Sequence, residues 1–272
     1  MPRVAFAALF ALAVSLPSSG APPLFPSPLH ITRQIQDPIS GKTTVLHEYG
    51  YGNRLITVRD NSTAIADYEK NELIEIDRDA GTYSITRFDL VAKLAARSPS
   101  SPARTAALKN KPELRNAAPA ATKSGRAAEF FEASVEGPAS RQRISVGVDR
   151  SVRLSRQALE VLIGSAYPGT LQAEHEVILS AAASNRLPVS GQSAGSAAVE
   201  ATYALPIEQV VTYEIEGQTL ELRSSVIRVG IEPPPADAVG IPAGARQVES
   251  RISAMTRELD FMENPRSEVT NP

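Results

Sequence analysis

Gly191-Gln192-Ser193-Ala194-Gly195 matches G-x-S-x-G, the turn that lifts a serine nucleophile off the end of a strand in hydrolases. That chemistry needs a base to take the serine proton and a carboxylate to orient the base. In this hydrolase order the histidine follows the serine, and the three histidines of the chain, His30, His47 and His175, all precede Ser193. Arg186-Leu187-Pro188-Val189-Ser190 is also a poor buried strand, so a small-residue loop is expected here and no catalytic residue is assigned. Glu174-His175-Glu176-Val177-Ile178-Leu179 begins like a zinc-binding H-E-x-x-H, but the position one helical turn on is Leu179. A solvated helix face is the expectation. His47 and Glu48 are neighbours on a strand and point to opposite faces, so they do not converge on an ion. Glu75, Asp77 and Asp79, and Asp60 with Asn61, cluster at turns without calcium-loop spacing. Asn61-Ser62-Thr63 fits a glycosylation acceptor only as a turn. Neither a phosphate-binding loop nor a dinucleotide fingerprint occurs. Tyr49, Tyr51, Tyr83 and Tyr213 lie in strand-like segments and are the expected ligand surface, lining a concave face.

Composition narrows the chemistry further. With zero Cys the chain has no disulfide, no thiolate-held metal or cluster and no thiol nucleophile. Zero Trp and 5% aromatics speak against an aromatic-lined sugar or nucleic-acid groove, and a net charge of -2 gives no global attraction to nucleic acid. No cofactor and no metal are expected.

The elements that must position any site are read from periodicity. Leu29, Ile31 and Ile35 share one face of a first strand, and Val45, His47, Tyr49 and Tyr51 share a face of the next. Leu55-Ile56-Thr57-Val58, Ala64-Ile65-Ala66, Leu73-Ile74-Glu75-Ile76 and Thr82-Tyr83-Ser84-Ile85-Thr86 follow, separated by turn residues, as in an antiparallel meander. Phe88 to Leu94 reads as one or two helical turns. Later, strands are expected over Glu129 to Val135 and Arg143 to Val148. Ser155 is placed to cap a helix with Ala158, Leu159, Leu162 and Ile163 on one stripe. Thr170 is placed to cap a second, carrying Leu171, Glu174, Val177, Ile178 and Ala181. Glu216-Gly217-Gln218 joins two long alternating segments into a hairpin, with Val211, Tyr213 and Ile215 facing one way and Leu220, Leu222 and Val226 sharing a face of the partner.

These elements divide the chain. Residues 1–20, with Arg3 before an apolar run to Val14 and small residues after Pro17, read as a signal peptide too short to span the bilayer, which takes about 20 apolar residues. Removing it deletes one positive charge and leaves a mature chain at -3 (-2 - 1), with no second apolar stretch of spanning length. Residues 21–28 form a Pro-rich spacer, 29–96 the meander, 97–126 an Ala/Pro/basic linker, 127–250 the helices and the long hairpin that complete the fold, and 251–272 a C-terminal helix and tail. Residues 97–126 hold seven basic residues and one acidic one with no aromatic, so a solvated linker is expected there.

Leu205-Pro206-Ile207-Glu208-Gln209-Val210-Val211-Thr212-Tyr213, the turn that follows, and Ile241-Pro242-Ala243-Gly244-Ala245 resemble the closing part of lipoprotein-localisation-factor-like (LolA-type) periplasmic proteins. Tyr51-Gly52-Asn53-Arg54-Leu55 through Thr82-Tyr83-Ser84-Ile85 is similar to their opening meander. The resemblance implies an incompletely closed β-barrel with helices on its concave side and an apolar, lipid-carrying cavity. It assigns no individual residue.

The sequence thus predicts a mainly β protein with a few helices, an antiparallel sheet or incomplete barrel with helices on one face, exported to the periplasm or cell exterior. The expected function is non-catalytic binding or carriage of an apolar or lipid-like ligand at the bacterial cell envelope. The alternative is a structural or protein-interaction module of the envelope, and a serine hydrolase stands behind both. The expected partners are a lipid or an envelope protein, not nucleic acid.

Overall fold

The structure is a computed structural model that describes residues 22–97, 113–136, 140–166, 172–183, 202–215 and 217–263. The meander comprises β1 (Phe25–Gln36), β2 (Thr43–Gly52), β3 (Arg54–Arg59), β4 (Ser62–Asp67), β5 (Glu72–Asp77) and β6 (Thr82–Arg87), followed by helix α1 (Phe88–Arg97). Then come β7 (Arg115–Asn116), β8 (Glu129–Glu136), β9 (Ser140–Leu154), α2 (Arg156–Ala166), α3 (Gln172–Ala183), β10 (Tyr203–Ile215), β11 (Gln218–Gly230), β12 (Arg246–Gln247) and α4 (Arg251–Glu263). The twelve strands among the described residues all lie in one sheet, in the order β12-β6-β5-β4-β3-β2-β1-β11-β10-β9-β8-β7. Every pairing is antiparallel except β12 on β6, and the sheet stays open. The two halves of the chain meet at β1, which pairs with β2 on one side and β11 on the other.

Strand parity explains the packing. Ile31, Leu55, Ala66, Leu73, Ile144, Val146, Val211 and Val226 project to one face, where α2 and α3 and the pair α1/α4 cover them. The stripe anticipated on α2 is buried in this core, with Ala158 and Leu159 at 0% exposure and Leu162 at 2%. Its N-terminus is held as the sequence implies, since the Ala158 amide donates to Ser155 Oγ at 3.1 Å. Thr170, the expected cap of α3, lies outside the described residues, but Val177, Ile178 and Ala181 are buried as anticipated. The opposite face carries a smaller apolar cluster, Tyr49, Ile56, Ile65 and Ile76, capped by Ala238 from the segment after β11.

Two expected boundaries shift. The Pro-rich spacer ends sooner, because β1 begins at Phe25, whose ring is buried over Gly50. Pro26 and Pro28 are exposed beside a register irregularity between Phe25 and Leu29, where a missing N–H is tolerated. A Cβ on Gly50 would lie 2.5 Å from the Phe25 ring, so Gly50→Ala should cost about 1–3 kcal/mol by overpacking, measured by urea denaturation. The expected 97–126 linker is in part a strap. Residues 98–112 lie outside the described residues, but residues 113–126 lie against the sheet. Leu114 packs on the main core, Arg115 and Asn116 pair with β8, and Arg126 forms an ion pair with Asp149. Low hydrophobicity misleads here because the strap is held by charge and hydrogen bonds: the Lys123 amide donates to Glu208 Oε1 at 2.7 Å and its ammonium to Gln34 Oε1 at 2.8 Å.

Candidate functional site

On the face away from the helices, the end of the first strap, from Lys123 to Arg126, lies near β9 and β10, and a second strap, running from residue 231 to β12, lies over β3 to β6. Between them runs a strip of β11, β1 and β2. Register places His30 opposite Tyr49 and Thr32 opposite His47 on these two strands, so four side chains meet on one face. Tyr49 stacks on the His30 ring, with centroids 4.3 Å apart. His30 Nδ1 lies 3.1 Å from Glu232 Oε2, and its Nε2 lies 3.3 Å from His47 Nδ1. Thr32 Oγ1 is 3.4 Å from each of those two ring nitrogens. The other oxygen of Glu232 is taken by Arg228.

Glu232 reaches His30 by folding back over the end of β11, and Gly230 makes that possible. A Cβ at position 230 would fall 1.9 Å from Glu232 Oε2. The Glu232 carboxyl is held below its usual range by its own backbone amide and by His30, so it remains an anion and accepts the His30 Nδ1 proton. His47 is held below the usual imidazole value, first by burial and then by the neighbouring His30. The cluster is a carboxylate–imidazole–imidazole chain able to share, pass or store a proton.

The four anticipated tyrosines do not form one surface. Tyr49 is buried against His30, while Tyr51 and Tyr83 flank the smaller apolar cluster on the same face. Tyr213 faces the other way, under the helices, where its hydroxyl donates to Glu174 Oε1 at 2.7 Å. The correction follows from register, because Tyr213 shares the face of Val211 and pairs with Leu220, whereas Tyr49 alternates away from Glu48. Burial followed by the Glu174 carboxylate pushes the Tyr213 phenol well above its usual pKa. Glu174 is therefore buried at 1% exposure, not part of a solvated face.

The helix-covered face has a polar seam of its own. Arg33 Nε donates to Glu48 Oε2 at 2.8 Å, with both side chains nearly fully buried, and Ser165 of α2 donates to Glu48 Oε1 at 2.7 Å. Gln209 and Ser224 are paired neighbours on β10 and β11. Among the described residues, both amide atoms of Gln209 and the hydroxyl of Ser224 are buried without a protein partner, as is Gln142 Oε1. Asp77 is the exposed last residue of β5, and Asp79 and Asn61 sit in exposed turns, with Asn61 donating to Asp79 at 2.7 Å. Ser193 lies outside the described residues. Among the described residues no cluster of three or more His, Asp or Glu side chains is arranged to hold a metal, and no helix is long and apolar enough to cross a membrane.

The histidines make stability depend on pH with a definite sign. His175 on α3 is lowered by burial, against the pull of Glu160 and Glu176. For a histidine whose folded pKa lies below about 6.5, the unfolded chain protonates first, so stability falls as pH drops from about 6.5 through the lowered pKa. Glu75, raised by burial, works in the opposite sense at the lower end of that window, and Asp37 and Glu129, lowered by hydrogen bonds from Ser40 and Arg150, titrate below it. Thermal unfolding of His47→Gln/His175→Gln should therefore lose less stability than wild type between about pH 7 and pH 5. Equal slopes would contradict these placements.

No protein family and no curated protein matches the chain. Among solved structures it is similar to PNGF-II, at 10% identity and a TM-score of 0.36, over 88% of this chain and 33% of that one. It is also similar to MucB, at 11% identity and a TM-score of 0.35, over 81% of this chain and 59% of that one. The chain thus spans less than two thirds of either structure, and neither likeness bears on what it binds.

Proposed function

We propose that the protein is an exported, non-catalytic binding module of the bacterial cell envelope that engages its partner through the strip of β11, β1 and β2. The observation that carries this reading is the contrast between the two faces. Under the helices, Leu159, Leu162, Val177 and Ile178 fill the main core, each no more than 2% exposed. On the strip, Val45, which shares the face of His47 and Tyr49, and Ile227 in the β11 bulge stand in solvent, each at 38% exposure. Exposed aliphatic groups beside a polar cluster are what an interaction surface offers.

A second reading, carriage of an apolar or lipid-like ligand, is favoured by Gln209 and Ser224. Unpartnered polar groups in an apolar interior are costly unless a bound molecule or water satisfies them. Native mass spectrometry of protein drawn from its own envelope separates the two. A protein partner whose mass leaves when Val45 and Ile227 are both changed to Lys supports the module. A lipid mass that leaves when Gln209 is changed to Leu supports the carrier. Bare protein in both preparations contradicts both.

A further inference from the structure

The Glu232–His30–His47 chain lies in the same strip, and the inference drawn from it rests on the strip being a binding surface. The ring centres of His30 and His47 are 5.6 Å apart and the facing nitrogens 3.3 Å, a difference of 2.3 Å (5.6 - 3.3). That difference is twice the distance from an imidazole nitrogen to its ring centre, so Nε2 of His30 and Nδ1 of His47 face each other along the line joining the rings. Glu232 occupies the remaining nitrogen of His30. Between the two facing nitrogens there is room for one proton, donated by one ring and accepted by the other. A second proton leaves two N–H groups opposed. The hydroxyl of Thr32, 3.4 Å from each, is then a third donor beside them.

We propose that His30, His47 and Thr32 form an oxyanion-binding site that is closed at neutral pH, where the two rings satisfy each other, and opens on acidification. With both rings charged, the two N–H groups and the Thr32 hydroxyl lack an acceptor among themselves, and one oxygen of a phosphate or carboxylate supplies it once the half-buried His47 ring turns. The surrounding charges are arranged for this. Glu232 is occupied by His30 and Arg228, so it orients His30 rather than filling the position of the ligand. Arg228 lies opposite Thr32 on β11, and Lys123 of the first strap reaches Gln34, two residues along β1 from Thr32. From β2 comes the neutral phenol of Tyr49, and from β3 the apolar Val58 pairs with His47.

The chain has only three histidines, so imidazole NMR of the full protein resolves every one. The rings are titrated from about pH 8 to about pH 5 in chloride, in inorganic phosphate and in acetate at equal ionic strength, a range that brackets imidazole protonation. A ligand that binds only the doubly charged pair must raise the pH at which His47 takes its proton. The expected result is a rise of about half a unit or more in phosphate, in acetate or in both, with the two anions telling phosphate from carboxylate preference, and an unmoved His175. Gly230→Ala, which displaces the Glu232 carboxylate, should shrink the rise while His175 still titrates as in the folded wild type. A His47 titration identical in all three salts overturns the site. That outcome leaves the binding-module reading standing, because the partner is sought by mass at neutral pH.

Discussion

Glu48→Ala should destabilise the protein by about 3–5 kcal/mol, because it removes the fully buried carboxylate that pairs with the Arg33 guanidinium beneath the helices. Glu48 is 0% exposed and holds two partners at once, Arg33 on the neighbouring strand and Ser165 near the C-terminal end of α2. Removing it costs the salt bridge and also unties the helix from the sheet. Replacing both members of the pair, as in Arg33→Met/Glu48→Leu, should recover most of the loss, since a buried ion pair contributes little net stability over an apolar pair of similar volume. Urea denaturation of the two variants measures both effects. A single variant within about 1 kcal/mol of wild type would mean that the pair is hydrated, not buried as described.

Leu162→Asp should be of the same order or larger, and it bears directly on which face binds. Leu162 lies at the centre of the α2 stripe, packed into the main core with Leu159 and Ile163. Placing an unpaired carboxylate there costs several kcal/mol and should unfold the domain or leave it near its stability limit. If α2 instead stood away from the sheet as a lid, the same change would leave a stable protein that had lost uptake of a fluorescent fatty-acid probe. A stable Leu162→Asp protein would therefore shift the weight from the strip to the helix-covered face.

Much of this architecture is legible in the sequence, because burial on one face of a strand or helix leaves a period. The alternation that put His47, Tyr49 and Tyr51 together is the pairing seen on β2, and the Ser155 cap and the α2 stripe follow from local rules. The site itself is less legible. His30 and Glu232 are 202 residues apart and meet only because β1 pairs with β11 and the chain folds back after Gly230. Strand parity could have placed His30, on the face away from Ile31, but nothing local says which strand lies beside β1. The opposite orientation of Tyr213 has the same origin, since faces are related across the two halves only through that one register. The ordered strap at residues 113–126 was hidden for another reason: its anchors, Arg126 to Asp149 and Lys123 to Glu208 and Gln34, are polar and long-range, and leave no apolar pattern.

On the proposed function, the partner is met at the strip between the straps and not beneath the helices. The most direct test is site-specific photocrosslinking in the native envelope, with the photoreactive residue placed at Val45 or Ile227 on the strip and, separately, at the exposed Arg156 of α2. One discrete adduct of the same mass is expected from both strip positions and none from position 156. Adducts from position 156 alone, or none from either strip position, would contradict that function.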